Sequence, residues 1–129
     1  MNNIEFLLIQ HVIAIHREQI NCFGGIHGVR DVGLLNSAIA MSQATFDGQY
    51  LHDDIFKMSA AYMFHIIKNH PFLDGNKRTG IITGLTFLEI NNVEVIKPKD
   101  YFYKMGVDIA CSNIDKDTIS RMLHDVVGN

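Results

Sequence analysis

The sequence predicts an all-α fold, a bundle of about six helices filling a single domain over residues 1–129. Three observations predict it. Apolar residues recur at helical spacing in segment after segment, and each segment begins or ends on a residue type suited to a helix boundary. Only two prolines interrupt the 129 residues. One short stretch, Val93-Glu94-Val95-Ile96, reads as extended, so any β structure is marginal.

The first helix runs from about Gln10 to Phe23, with Val12, Ile13, Ile15 and Ile20 as its apolar residues. Gly24-Gly25 ends it, because glycine accepts the left-handed backbone that closes a helix. A loop, Gly24 to Arg30, leads to a second helix that Asp31 can cap, with Leu34, Leu35, Ala38, Ile39 and Met41 on its apolar stripe. Asp53 or Asp54 caps a third helix that reaches about Asn69. Its apolar residues go nearly all the way round, which places it at the centre of the bundle. Pro71 stops it, since the residue before a proline is disfavoured in the right-handed helical region. A fourth helix runs from near Asn76 to about Ile90, with Ile81, Ile82, Leu85 and Leu88 inward. Gly80 and Gly84, four apart, each cost about 0.5–1 kcal/mol against alanine in a helix, so their use there implies close approach of another helix. Two further helices, about Tyr101–Cys111 and Lys116–Val127, follow, capped by Asp100 and Asp115 or a neighbour.

Composition narrows the class of function. A net charge of −3 provides no basic field for phosphate backbones, so direct nucleic-acid binding is not expected. No run of about eighteen apolar residues exists for a membrane span. The apolar Phe6–Ile9 stretch is too short for a signal peptide and lacks a basic front. Cys22 and Cys111 stand far apart with no metal-ligand pattern around them, and read as two free thiols. The expectation is a cytoplasmic protein.

The connection between the third and fourth helices carries the chemistry: His70-Pro71-Phe72-Leu73-Asp74-Gly75-Asn76-Lys77-Arg78-Thr79. A helix start presents unpaired N–H groups and the positive end of the helix dipole. Gly75 lets the backbone bend and approach a ligand, and Asn76 either caps the helix or turns its amide to a bound phosphate. Lys77 and Arg78 put two cations where the dipole disfavours them, which points to an anion that offsets them. Asp74 at the edge of such a pocket reads as a Mg²⁺ ligand, because a bare carboxylate would repel phosphate. His70, at the other end of the loop, can take a proton from an attacking hydroxyl. Taken singly, each feature has an ordinary structural explanation: a surface histidine, a turn and cap, a solvated basic pair. Their joint occurrence is what points to a polyphosphate site with a base.

This segment resembles the Fic/Doc signature, His-Pro-Phe-x-Asp/Glu-Gly-Asn-Gly/Lys-Arg, at every fixed position. Gly24-Gly25-Ile26-His27-Gly28-Val29-Arg30-Asp31-Val32-Gly33-Leu34-Leu35 and Phe87-Leu88-Glu89-Ile90-Asn91 are similar to the death-on-curing (Doc) branch. The resemblance implies that His70 is the general base, Asp74 binds Mg²⁺, Gly75 and Asn76 form an anion nest, and Lys77 and Arg78 contact ATP phosphates, with Arg78 also catalytic. Lys77 stands where AMP-transferring members generally have glycine, which implies a kinase that hands over the γ-phosphate, with elongation factor Tu as target. Gly75, where some Doc toxins have alanine, is closer to the AMP-transferring pattern, so transfer of AMP stays open. A third reading is a non-catalytic module that acts only with its antitoxin as co-repressor. The self-inhibitory pattern Ser/Thr-x-x-x-Glu-Gly/Asn is not found, so the resemblance implies a separate antitoxin with a tail that folds on binding.

Some residues carry weaker signals. Arg30 reads as a support for the site or as part of an ion pair, and Asp31 as a cap. His65 reads as a hydrogen-bonded core histidine or a catalytic partner, and Asn69 as a loop-shaping residue. His16 and His27 can reach the site only through tertiary structure. Tyr101, Phe102, Tyr103 and Met105 read as core or partner-contact residues.

Overall fold

The computed structural model describes residues 3–127. Six helices carry the fold: α1 (Ile9–Phe23), α2 (Val32–Ala40), α3 (Ile55–Asn69), α4 (Asn76–Ile90), α5 (Lys99–Ala110) and α6 (Lys116–His124). The all-α expectation holds, and so do the four helix boundaries that flank the Gly24–Arg30 and His70–Gly75 loops. Asp31, Asp54 and Asp115 cap α2, α3 and α6 by accepting the N–H of Leu34, Lys57 and Thr118.

Helix α3 is the axis of the molecule, packed against α2, α4, α5 and α6. Met58, Ala60, Ala61, Tyr62, Met63 and Ile66 have no exposed surface, as a helix apolar on most faces requires. Helix α4 runs antiparallel to it: Gly80 lies against Ile67 and Met63, and Gly84, one turn on, against Met63 and Ser59. A Cβ at Gly84 would stand 2.5 Å from Met63 Cγ, and the Ser59 hydroxyl donates to the Gly84 carbonyl at 2.8 Å. The two glycines therefore set how closely the helices approach. The buried face of α4 is Thr79, Ile81, Thr83, Phe87 and Leu88. Ile82 and Leu85, expected inward, are only partly covered and line a cleft instead.

Four details differ from the sequence-based expectation. Between α2 and α3 a 3-10 turn (Met41–Gln43) precedes a hairpin of β1 (Thr45–Phe46) and β2 (Gln49–Tyr50), which was not foreseen. Its turn, Asp47-Gly48, has both φ positive (52° and 76°), the geometry that makes Asp-Gly a hairpin signal. Helix α5 starts at Lys99 with Pro98 at its N-cap, so Asp100 is not the cap but lies in the first turn, where its charge suits the dipole. Helix α6 ends at His124, short of Val127, because the chain there turns to pair with the extended stretch. Ile96 N–H donates to Val126 O at 2.8 Å, and Val95 bridges Val127. His70 leaves α3 in the left-handed region (φ 55°, ψ 52°).

The N-terminal segment is held by Tyr62, whose hydroxyl accepts from Leu7 N–H and donates to Leu7 O, and burial pushes its phenol up to about 12. Cys22 and Cys111 are free and exposed. Among the described residues no helix is long and apolar enough to cross a membrane.

His65 lies on α3 away from the cleft, its Nε2 3.0 Å from Lys116 Nζ, which bears out the hydrogen-bonded reading. Burial first, then the Lys116 charge, pushes its imidazole from 6.5 down to about 4. The unfolded chain binds this proton from about 6.5 and the folded chain only near 4. The ring's contribution is therefore fully present above 6.5 and is lost as pH falls toward 4. In urea unfolding, His65→Gln should flatten this acid limb relative to the wild type.

A second expectation concerns helix approach. Gly84→Ala should cost about 1–3 kcal/mol by overpacking against Met63 and Ser59, seen as a lower urea midpoint at unchanged slope.

Candidate active site

The loop from His70 to Gly75 joins α3 to α4 and is closed by one side chain. Asn76, 3% exposed, accepts from Phe72 N–H through Oδ1 and donates to Phe72 O through Nδ2, both at 2.9 Å. The expectation that Asn76 caps α4 is corrected here: its side chain bonds the Phe72 backbone inside the loop. Gly75 is the N-cap, in the left-handed region (φ 75°), and no side chain caps the helix. The first intrahelical bond runs from Thr79 N–H to Gly75 O. The N–H groups of Asn76, Lys77 and Arg78 precede it and have no carbonyl within α4 to bond, which is what an anion nest needs.

The 24–31 loop is stitched onto this one. Arg30 and Asp31 N–H both donate to Pro71 O (2.7 and 3.0 Å), Leu73 N–H donates to Gly28 O, and Val29 bridges Phe72. The Arg30 side chain donates from Nε to His70 O at 2.8 Å and from Nη2 to Asn69 O at 3.1 Å. Arg30 thus makes no ion pair among the described residues. It holds the strained His70 by its own carbonyl, while Asp31 is simply a cap. Asn69 donates to Leu34 O, which ties the end of α3 to α2. The His70 side chain is exposed, and left-handed backbone at a non-glycine residue persists where its surroundings over-determine it.

Asp74 is gripped from three sides. Its Oδ2 accepts from Ile26 N–H at 3.2 Å and its Oδ1 from Gly75 N–H at 2.9 Å. Its carbonyl accepts from His16 Nε2 at 2.9 Å. His16 is 3% exposed, stacks on Phe72 with ring centroids 3.9 Å apart and planes 5° apart, and underlies Gly75. Burial lowers its pKa below 6.5, and because a carbonyl oxygen only accepts, it is the Nε2–H that donates. Each Asp74 oxygen accepts one N–H here and keeps a further acceptor direction, and the carboxylate is exposed. Among the described residues no three His, Cys, Asp or Glu side chains converge. A lone, exposed carboxylate fits Mg²⁺, which is held by one or two carboxylates with phosphate oxygens and water, and does not fit a protein-only metal cage.

These groups line one cleft of about 620 Å³ between α1, α4 and α5. It brings together His70, Asp74, Gly75, Asn76, Lys77 and Arg78, so all the residues singled out in the motif share one wall. The Arg78 guanidinium stands 4.3 Å over the ring of Phe23, which is 57% exposed. This cation–π contact holds the cation against α1 within the cleft lining at a modest gain of about 0.5–1 kcal/mol. Opposite, α5 contributes Lys99, Asp100, Phe102 and Tyr103. Phe102 and Met105 are buried, whereas Tyr103 is 70% exposed. His65 does not line the cleft.

Sequence reasoning missed the contribution of α1. His16, Gln19 and Phe23 lie at i, i+3 and i+7 and so share one face, which ends at Gly24-Gly25 beside Asp74. That stripe, running into a glycine pair, is the signal that was available.

The role of Asn76 gives a direct test. Asn76→Ala leaves the Phe72 N–H and C=O unpaired inside the loop, at about 1–3 kcal/mol for each group. The expected result is a stability loss of about 2–6 kcal/mol in urea titration, with faster amide exchange at Phe72.

With this geometry in hand, comparison with known proteins gives a consistent result. The family model described as Fic/DOC family matches residues 6–88, more than half of the chain and inclusive of both loops. Toxin Doc of Mycolicibacterium smegmatis is similar, 36% identical over 103 residues, which cover 78% of this chain and 79% of that protein. Protein kinase doc of Escherichia phage P1 is 29% identical over 120 residues, 93% of this chain and 94% of its own. The helical fold, the closed His70–Gly75 loop and these matches agree, and the chain belongs to the Fic/DOC family.

Proposed function

We propose that this chain is the toxin of a type II toxin–antitoxin pair, a cytoplasmic kinase that uses Mg-ATP to phosphorylate a Ser/Thr hydroxyl of elongation factor Tu and so stops translation. The observation that carries the reading is the convergence, in one cleft, of the free N–H groups at the start of α4 with Lys77, Arg78, Asp74 and His70. The names of the two relatives, a toxin and a protein kinase, support it.

In this reading the N–H groups of Asn76, Lys77 and Arg78 cradle the phosphates, and Gly75, whose own N–H donates to Asp74 Oδ1, lets them approach with no Cβ in the way. Lys77 and Arg78 offset the charge that spreads over the transferred group, which is the main catalytic demand of phosphoryl transfer. Asp74 would hold Mg²⁺, which supplies charge neutralisation between phosphates. His70 takes the proton of the attacking hydroxyl, and Arg30, through the His70 carbonyl, keeps that residue's backbone in place. His16 holds the Asp74 carbonyl inward. A peptide's N–H and C=O point opposite ways, so this bond also orients the Gly75 N–H.

Regulation in this reading falls to an antitoxin whose tail orders on binding, since no self-inhibitory pattern is found in the sequence. Transfer of AMP is the alternative that Gly75 favours: at φ 75° it leaves the nest without a Cβ.

The deciding experiment supplies γ-labelled and α-labelled ATP with purified elongation factor Tu or a bacterial lysate. Label from the γ position alone is expected. Label from the α position would replace kinase by AMP transferase, and no label from either would leave the non-catalytic reading. His70→Ala should lower the rate by about 10²–10⁴-fold, the usual worth of a general base, and relieve growth arrest on induction.

A further inference from the structure

A second cluster of titratable side chains lies outside the cleft, where α6 meets α3. Lys116, the first residue of α6, places its Nζ 3.0 Å from His65 Nε2 on α3 and 3.4 Å from His52 Nε2 in the segment before α3. An ammonium only donates, so both Nε2 atoms accept and each ring carries its proton on Nδ1. The Phe64 ring lies 5.8 Å from the same nitrogen. All three side chains of the cluster are half-buried.

The surroundings disfavour a charged Lys116. Among the described residues the lysine–carboxylate ion pairs are Lys57–Asp53 and Lys104–Asp108, and Lys116 has none. It occupies the start of a helix, where the dipole opposes a cation. What faces it from α3 is His65 and Phe64, and from the preceding segment His52, whose own neighbours include Asp53 and Lys57. Asp117, next along α6, is the acidic group that favours its charge. Burial outweighs that, and holds the Lys116 ammonium below the ordinary lysine range.

We propose that Lys116 is a nucleophilic amine and the chain's preferred site of acylation by small acyl phosphates. The half-buried position demands a small donor, and no side chain hydrogen-bonded to the amine carries a negative charge that would repel an anionic leaving group. In the step, the neutral Nζ attacks the acyl carbon and an N–C bond forms. The C–O bond to phosphate breaks, and phosphate leaves with the electron pair. The surplus proton on nitrogen passes to His65 Nε2, already at 3.0 Å, and from there to water. The product amide is neutral and keeps one N–H, so it can serve only one of the two imidazoles and removes the cation from the helix start.

The test treats the folded, full-length chain with acetyl phosphate and follows the occupancy of each lysine by mass spectrometry. Lys116 should react several-fold faster than Lys57 and Lys104, because their ammonium groups are held in ion pairs with Asp53 and Asp108 whereas Lys116 has imidazole acceptors and no carboxylate partner. In urea the preference should vanish. His65→Gln, which keeps a hydrogen-bond acceptor and removes the basic nitrogen, should slow Lys116 several-fold. Equal rates at the three lysines in the folded chain, or a preference that survives urea, would overturn the proposal. An unchanged rate in His65→Gln would overturn the proton-acceptor role, and if that variant does not fold, the folded-against-urea comparison decides alone.

Discussion

The site depends on the pair of hydrogen bonds between the Asn76 side chain and the backbone of Phe72. They close the loop that turns the chain from α3 into α4, and they do so from inside, with a buried amide that satisfies a donor and an acceptor at once. With the loop closed in this way, Gly75 takes the cap position and the α4 N–H groups are left free. His70 sits at one end and Asp74 at the other, each pinned by a carbonyl: His70 O by Arg30, Asp74 O by His16. The backbones of His70 and Asp74 are thus held in place, and each Asp74 oxygen, though it accepts one N–H, keeps a further acceptor direction.

The α3–α4 packing makes that loop possible. Gly80 and Gly84 let the two helices approach until a Cβ on either would collide with Ile67 or Met63. A six-residue connection, 70–75, then suffices to bridge their ends. The same closeness brings the positive end of α4 beside the last turn of α3. Glycine in the middle of a helix costs stability, and here it sets the distance on which the site is built.

Much of this was legible in the sequence because the signals were local. Capping aspartates, helical apolar spacing and the glycine pair marked the helix boundaries around the Gly24–Arg30 and His70–Gly75 loops and the central place of α3. The ten-residue motif located one wall of the cleft. What was not legible depended on distant contacts. Asn76 looks like a cap in one dimension, and only the fold shows its amide turned onto Phe72. His16 belongs to a helical stripe with Gln19 and Phe23, but its place beneath Asp74, 58 residues away, is set by tertiary contact alone. Ile82 and Leu85 fit the inward stripe of α4, but the cleft lies where α5 would otherwise cover them. The hairpin was missed for another reason: two-residue strands give no periodicity, although Asp47-Gly48 was a turn signal on its own.

The stitching between loops also has a kinetic side. The α3–loop–α4 unit is built from contacts between neighbouring elements, and such contacts form early because little chain entropy is lost in closing them. The bonds that pin the two ends of the loop span 40 residues (Arg30 to His70) and 58 residues (His16 to Asp74). Chain that has paired α3 with α4 but not yet docked α1 and the 24–31 loop lacks the bonds from Arg30 to the His70 carbonyl and from His16 to the Asp74 carbonyl. Emergence order does not help it, because α1 leaves the ribosome first but must wait for Asp74. Assembly of the site therefore coincides with completion of folding, and a nascent or partly unfolded chain carries the motif without its geometry.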